Sequence, residues 1–338
     1  MNSRFLPFLP TKPRAPSTLS SGNCQLTANR GTGVVVPETF ATSYQDIISS
    51  KTATVIRAIR PAQWLKNGVV FAGLVFGGKL LEPTPVARAT LAALTFCLLS
   101  SGFYLVNDVR DRDADRLHPV KRLRPVAAGE LTPRTAGVLG AVLILFAIAA
   151  SALLSWSLLL VFLAYAGLMA AYNLGLKEIA ILDVFAIAAG FVLRAVGGAV
   201  VVDVSISPWL LVCTMLLALL IGFGKRRHEL IALNNPMGHR RNLSVYNQAM
   251  LDQCVAVTAA GTLIAYAVYT FDSQSAQSHR LMMLTIPFVA YGVFRYLLLL
   301  YLGGQGGTPE AMLLTDRPLV GAVLAWAIVS GLLFYFAS

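Results

Sequence analysis

One stretch of the 338-residue chain concentrates groups that can hold a hard cation: Asn107-Asp108-Val109-Arg110-Asp111-Arg112-Asp113-Ala114-Asp115. On a continuous helix at about 100° per residue, Tyr104, Asn107, Asp108, Asp111 and Asp115 share a sector about 100° wide, while Asp113 points elsewhere. One face then presents an amide and three carboxylates, one turn apart. Carboxylates this close repel each other unless a cation lies between them. Oxygen donors suit Mg²⁺, which binds through one or two carboxylates together with substrate phosphates. The expected chemistry is neutralisation of a diphosphate leaving group by that metal.

Cations gather near the stripe. His118-Pro119-Val120-Lys121-Arg122-Leu123-Arg124-Pro125 follows it, broken by two prolines. Lys121, Arg122 and Arg124 there either grip phosphate or act as topogenic charge. Lys66 and Asn67 sit at the mouth of an apolar run, poorly placed for lipid; Lys66 either meets a phosphate or snorkels to the headgroups. Lys177 is the only basic residue of a short turn. Asp183 and Arg194 lie eleven residues apart on one helical face. Arg194, among Gly190, Gly197 and Gly198, either meets a ligand or makes a structural salt bridge between helices. Lys225, Arg226 and Glu229 end another apolar run and could line the same cavity. All but the deeper Arg194 fall at or near one membrane face, which argues for one active site there. No Ser/His/Asp or Cys/His nucleophile arrangement is present, and His118, His228, His239 and His279 lack metal-ligand spacing. Catalysis by metal and positioning is expected, without a covalent enzyme intermediate.

The elements that must position these groups are membrane helices. Apolar residues make up 56% of the chain and charged residues 13%, against about 25% charged in soluble domains. The net charge of +11 would suggest nucleic acid in a soluble protein. Here Lys and Arg cluster in loops between apolar runs, so no nucleic-acid partner is expected. Spans of about 20 residues are expected near 65–81, 88–108, 135–153, 155–173, 181–202, 207–224, 250–270, 281–302 and 318–337. The fold class is therefore all-α: a polytopic membrane protein of about nine helices around a central cavity open to the cytoplasmic side. The basic loops put the N-terminus and the stripe in the cytoplasm. Residues 1–50, rich in Ser, Thr and Pro, read as a disordered tail, and residues 51–338 as the transmembrane domain. Cys24, Cys97, Cys213 and Cys254 lack CxxC spacing and imply neither disulfide nor metal.

Taken together, these motifs resemble the UbiA-type intramembrane prenyltransferase superfamily. Arg60-Pro61-x-Gln63-Trp64-x-Lys66-Asn67, Tyr104-Leu105-Val106-Asn107-Asp108, His118-Pro119-x-Lys121-Arg122-x-Arg124-Pro125, Gly175-Leu176-Lys177 and Gly224-Lys225-Arg226 look like its decaprenyl-phosphate phosphoribosyltransferase branch, over roughly residues 55 to 330. The resemblance implies transfer of 5-phosphoribose from phosphoribosyl pyrophosphate to a polyprenyl phosphate, with release of diphosphate. It implies that Asn107 and Asp111 hold Mg²⁺, that Asp108 and Asp115 support that shell, and that Lys66, Tyr104, Lys177 and Arg194 contact substrate phosphates. The product would feed arabinose-containing envelope polymers at a bacterial plasma membrane. Where aromatic prenyltransferases of this superfamily carry a second Asp-x-x-x-Asp motif, this chain reads Gly224-Lys225-Arg226-Arg227-His228-Glu229. A cationic segment there fits several phosphates with fewer metal ions. The alternatives are an aromatic-acceptor prenyltransferase using a polyprenyl diphosphate, and a lipid-phosphate transporter, for which no inverted repeat is obvious. A homo-oligomer stays open.

Overall fold

Seven helical segments of the computed structural model are long and apolar enough to cross a bilayer. The structure describes residues 51–338 apart from 119, 206, 233–242, 244, 273–279, 303–314 and 337–338. The expected N-terminal tail, residues 1–50, and His239 and His279 lie outside the described residues. In chain order the helices are α1 (51–59), α2 (Ala72–Phe76), α3 (Pro83–Arg110), α4 (Arg112–Leu117), α5 (Pro133–Leu154), α6 (Trp156–Leu174), α7 (Leu182–Val201), α8 (Pro208–Ala232), α9 (Gln248–Asp272), α10 (Ile286–Tyr301) and α11 (Arg317–Phe336). No strand occurs among the described residues.

Local chemistry sets the helix ends. Pro83 and Pro133 open α3 and α5, where a missing N–H costs nothing. The Thr132 hydroxyl caps α5 by accepting from the Thr135 amide at 3.2 Å. A single extended residue, Ser155, turns the chain from α5 into α6.

The expected first span, 65–81, is not a membrane-length α-helix. Pro61–Phe71 forms an eleven-residue 3-10 helix that runs into the five-residue α2. At about 2.0 Å per residue, the 3-10 segment advances about 22 Å and α2 adds about 7 Å. The pair therefore approaches the thickness of a bilayer core, about 30 Å, in fewer residues than an α-helix needs. Its two ends fit that reach. Arg60 pairs with Asp108 near the C-terminal end of α3, and Lys79 Nζ donates to the Val202 carbonyl just beyond α7 (2.9 Å). The segment lies backbone-to-backbone on α7: a Cβ at Gly198 would stand 1.8 Å from the Val70 carbonyl oxygen.

Two helices are central. More than half of the apolar window of α3 and of α7 is buried, whereas α5 and α6 are mostly exposed. Leu145, Phe146 and Leu153 of α5 point outward, as suits a lipid-facing surface. Small residues let the outer α5 approach the inner α3. Gly102 of α3 and Gly140 of α5 meet where a Cβ on either would come within 3.0 Å of the other's carbonyl oxygen. α3 and α7 thus carry the polar groups inward, which positions the site.

Candidate functional site

The acidic stripe ends α3, but the helix does not run through it unbroken. α3 stops at Arg110, Asp111 has φ −89° and ψ 5°, and α4 begins at Arg112. Across the break the i to i−4 spacing survives: the Asp111 amide donates to Asn107 O and the Asp115 amide to Asp111 O, both at 2.8 Å. The stripe therefore keeps one general direction, yet its members meet different partners.

Asp108 and Asp115 are buried and share Arg124, whose Nη1 lies 3.2 Å from Asp108 Oδ1 and 2.6 Å from Asp115 Oδ2. Arg60 makes a second bond to Asp108 and stands over the Tyr104 ring at 5.1 Å. Asn107 and Asp111 face another way. Lys177, on the 3-10 turn Leu176–Glu178, donates to Asp111 Oδ1 at 2.5 Å and to Asn107 Oδ1 at 3.2 Å. Asp113 is exposed and pairs with neighbouring Arg112 and Arg116.

This corrects two expectations. The repulsion between stripe carboxylates is relieved by the protein's own cations, and Arg124 is a counter-ion to Asp108 and Asp115 rather than a spare phosphate grip. Among the described residues no three Asp, Glu, His or Cys side chains converge as metal ligands. Two oxygens do converge, Asn107 Oδ1 and Asp111 Oδ1, and an ammonium already sits between them. A stand-in cation at that point, on hard oxygen donors, is what a Mg²⁺ pair would look like with a lysine in the ion's place.

The Lys121–Leu123 3-10 turn is tied to the stripe through Arg124. It brings half-buried Lys121 and exposed Arg122 to the stripe's end. Tyr104 and Lys66 are half-buried on α3 and on the opening 3-10 segment.

Arg194 lies deeper, near Ser100, which is about 10 Å along α3 from Asn107 at 1.5 Å per residue. It is 5% exposed. Nε donates to Asn67 Oδ1 (2.7 Å), Nη1 to the Gly190 carbonyl (2.9 Å) and Nη2 to the Tyr165 hydroxyl (2.7 Å). The guanidinium also lies against the Tyr165 and Phe191 rings, at 4.8 and 5.4 Å. All three acceptors are neutral. Asn67 in turn donates to Cys97 Sγ (3.2 Å) and Ser100 Oγ (3.5 Å). Asn67 thus orients Arg194 from the 3-10 segment. The sequence marks Asn67 as misplaced for lipid, but Tyr165, Cys97 and Ser100 sit in apolar helices without any distinguishing pattern.

Asp183 does not pair with Arg194, although both lie on α7. It pairs with Arg226 of α8, Nε to Oδ2 at 2.6 Å, and Arg226 also bonds Glu229. Asp183 is fully buried and Arg226 is 2% exposed, so Arg226, expected to bind substrate, is enclosed between carboxylates. Tyr246, which nothing in the sequence points to, completes the cluster by donating to Asp183 Oδ1 (3.1 Å) and accepting from the Ile181 amide (2.5 Å). Burial pushes its hydroxyl up to about 12, so it stays a donor at neutral pH. Neighbouring Arg227 ties α8 to Asp252 of α9 and to the Tyr301 ring of α10, 4.1 Å away. Lys225 is half-buried beside them.

The comparisons with known proteins agree with this architecture. Residues 68–225 match the UbiA prenyltransferase family. Decaprenyl-phosphate phosphoribosyltransferase of Mycolicibacterium smegmatis is 34% identical over 298 residues, covering 83% of this chain and 92% of that protein. The protein of the same name from Mycobacterium tuberculosis H37Rv is 32% identical, covering 85% of this chain and 97% of that one. Among solved structures, a UbiA homolog from Archaeoglobus fulgidus bound to DMAPP and Mg²⁺ superposes with a TM-score of 0.65 at 17% identity, over 82% of this chain and 99% of its own. A stripe at the end of one inner helix, a buried arginine on the other and near-full-length relatives lead to one conclusion: this multi-pass membrane protein belongs to the UbiA prenyltransferase family.

Proposed function

We propose that this protein transfers 5-phosphoribose from phosphoribosyl pyrophosphate to a polyprenyl phosphate at the cytoplasmic face of a plasma membrane. The relatives named for that reaction support it, but the observation that carries it lies in the site. The acids near the start of α7 and the end of α8, Asp183 and Glu229, are both committed to Arg226. Among the described residues, that end of the site offers no second acidic pair for a prenyl diphosphate–metal complex. This favours a site that works with one metal, at the stripe.

The residues fit one divalent cation. Asn107 and Asp111 would hold it, and when bound it supplies positive charge to the departing diphosphate. The rest falls to the chain. Lys66, Lys121, Arg122 and Lys225 carry charge for the phosphates of both anionic substrates, which would otherwise repel each other. Tyr104, held under Arg60, offers a hydroxyl at the same level. Arg194 retains one N–H on each terminal nitrogen beyond its neutral acceptors, and a buried guanidinium that meets no carboxylate among the described residues is an apt receiver for an anion. A phosphate oxygen of the lipid attacks the anomeric carbon. The C–O bond to diphosphate breaks, and its electron pair leaves with diphosphate. Arg124 and Arg60 keep Asp108 and Asp115 neutralised, so these two carboxylates position the stripe without repelling the substrates. The central cavity would open on the side of the stripe, where basic loops predict cytoplasm.

The test uses purified protein in detergent with polyprenyl phosphate and ribose-labelled phosphoribosyl pyrophosphate. Label should enter the organic phase with Mg²⁺ and not with EDTA. Absence of label, with consumption of a prenyl diphosphate and an aromatic acceptor, would move the function to aromatic prenyl transfer.

A further inference from the structure

The carboxylates of the stripe are neutralised in two unlike ways. Asp108 and Asp115 are buried and held by arginines, whose planar forks fix direction as well as charge. Asp111 has a side chain 29% exposed and is met by Lys177, a point charge on a four-carbon stem. The Lys177 ammonium lies between the two oxygens that read as the metal pair. Its backbone is placed independently of that contact: the Arg110 guanidinium donates to the Leu174 carbonyl at 3.0 Å, and the Glu178 amide closes the turn on Gly175 O at 2.9 Å. The ammonium can therefore swing away without moving the turn.

We propose that Lys177 is the resident cation of the Asn107/Asp111 pair and competes with the divalent metal for it, so that metal enters only as the lysine leaves. This rests on the reading of that pair as the metal site. A doubly charged ion attracts Asp111 more strongly than an ammonium at equal distance. Mg²⁺ loses its water reluctantly, however, and two protein oxygens replace little of it. Metal alone thus displaces Lys177 poorly. Metal arriving with a diphosphate brings its own oxygen ligands, and the released ammonium gains those phosphate oxygens as acceptors in exchange for Asp111. Lys177 then disfavours metal in the empty site and favours it in the loaded one. No bond is made or broken in this exchange.

The test reads binding, not turnover. Mn²⁺ is titrated by electron paramagnetic resonance into wild type, Lys177→Met, and Lys177→Met combined with Asp111→Asn, without substrate. Lys177→Met should bind Mn²⁺ about tenfold more tightly than wild type, which corresponds to about 1.4 kcal/mol, and the added Asp111→Asn should abolish the gain. In wild type, Lys177 acylation by a water-soluble active ester, followed by mass spectrometry, should run several-fold faster once Mg²⁺ is raised high enough to fill the pair, and little faster below that concentration. Equal or weaker Mn²⁺ binding by Lys177→Met overturns the proposal, as does an acylation rate that saturating Mg²⁺ leaves unchanged or lowers. Failure of phosphoribosyl transfer would remove the proposed function and leave both of these readouts standing.

Discussion

At the end of α3, Asp111 meets a lysine suspended from a three-residue turn, with part of its carboxylate open to solvent. Near the start of α7, Asp183 meets Arg226 from the next helix, with Tyr246 on its other oxygen and no exposed surface. Both are acid–base pairs near the ends of inner helices. They differ in what a change of partner would cost. A buried carboxylate with an arginine and a hydroxyl cannot release either without stranding charge away from water. A half-open carboxylate with a flexible ammonium can exchange it for another cation. The difference separates a pair that joins helices from a pair that can do chemistry, although the residue types are nearly the same.

The comparison is broken most forcefully at the closed pair. Asp183→Ala should destabilise the protein by about 3–5 kcal/mol, because Arg226 loses one of its two carboxylates in the interior; thermal unfolding in detergent reads it. Replacing both partners, Asp183→Leu with Arg226→Met, should recover most of that loss. At the open pair, Asp111→Asn should lower phosphoribosyl transfer by about 10²-fold, in the range of a lost charge-stabilising group, while the unfolding midpoint stays close to wild type. A large loss of stability in Asp111→Asn would show that this pair, too, is structural. Arg124→Gln should fall between them, costing about 1–3 kcal/mol by leaving Asp115 under-bonded, with Arg60 still on Asp108. The smallest effect belongs to the exposed Arg57–Glu130 pair, where Glu130→Gln should change stability by under about 1 kcal/mol in the same unfolding assay.

Much of the architecture is legible along the chain because membrane-crossing length and apolarity are local properties. The runs that became α3, α5, α6, α7 and α9 lie close to their expected bounds, whereas α8 continues eight residues past its expected end, to Ala232. The run at 65–81, interrupted at its start by Lys66 and Asn67, is a 3-10 segment joined to a short helix. Its shape follows from the contact of Val70 with Gly198, a residue more than a hundred positions away, which no local pattern encodes.

The same division runs through the site. By itself, the sequence determined that Asn107, Asp111 and Asp115 recur at four-residue spacing beside Tyr104 and Asp108, because spacing is a local property; the break at Asp111, which turns Asn107 and Asp111 away from Asp108 and Asp115, was not legible there. It also determined that Lys177 is the only basic residue of a short turn between apolar runs and that Arg194 lies within an apolar run. Only the tertiary structure decided the partners. Asp108 took Arg60 and Arg124, Asp111 took Lys177, and Asp183 took Arg226 of the next helix. The physical reason is that an ion pair in a low-dielectric interior is chosen by distance and enclosure. Both depend on how helices far apart in sequence pack together.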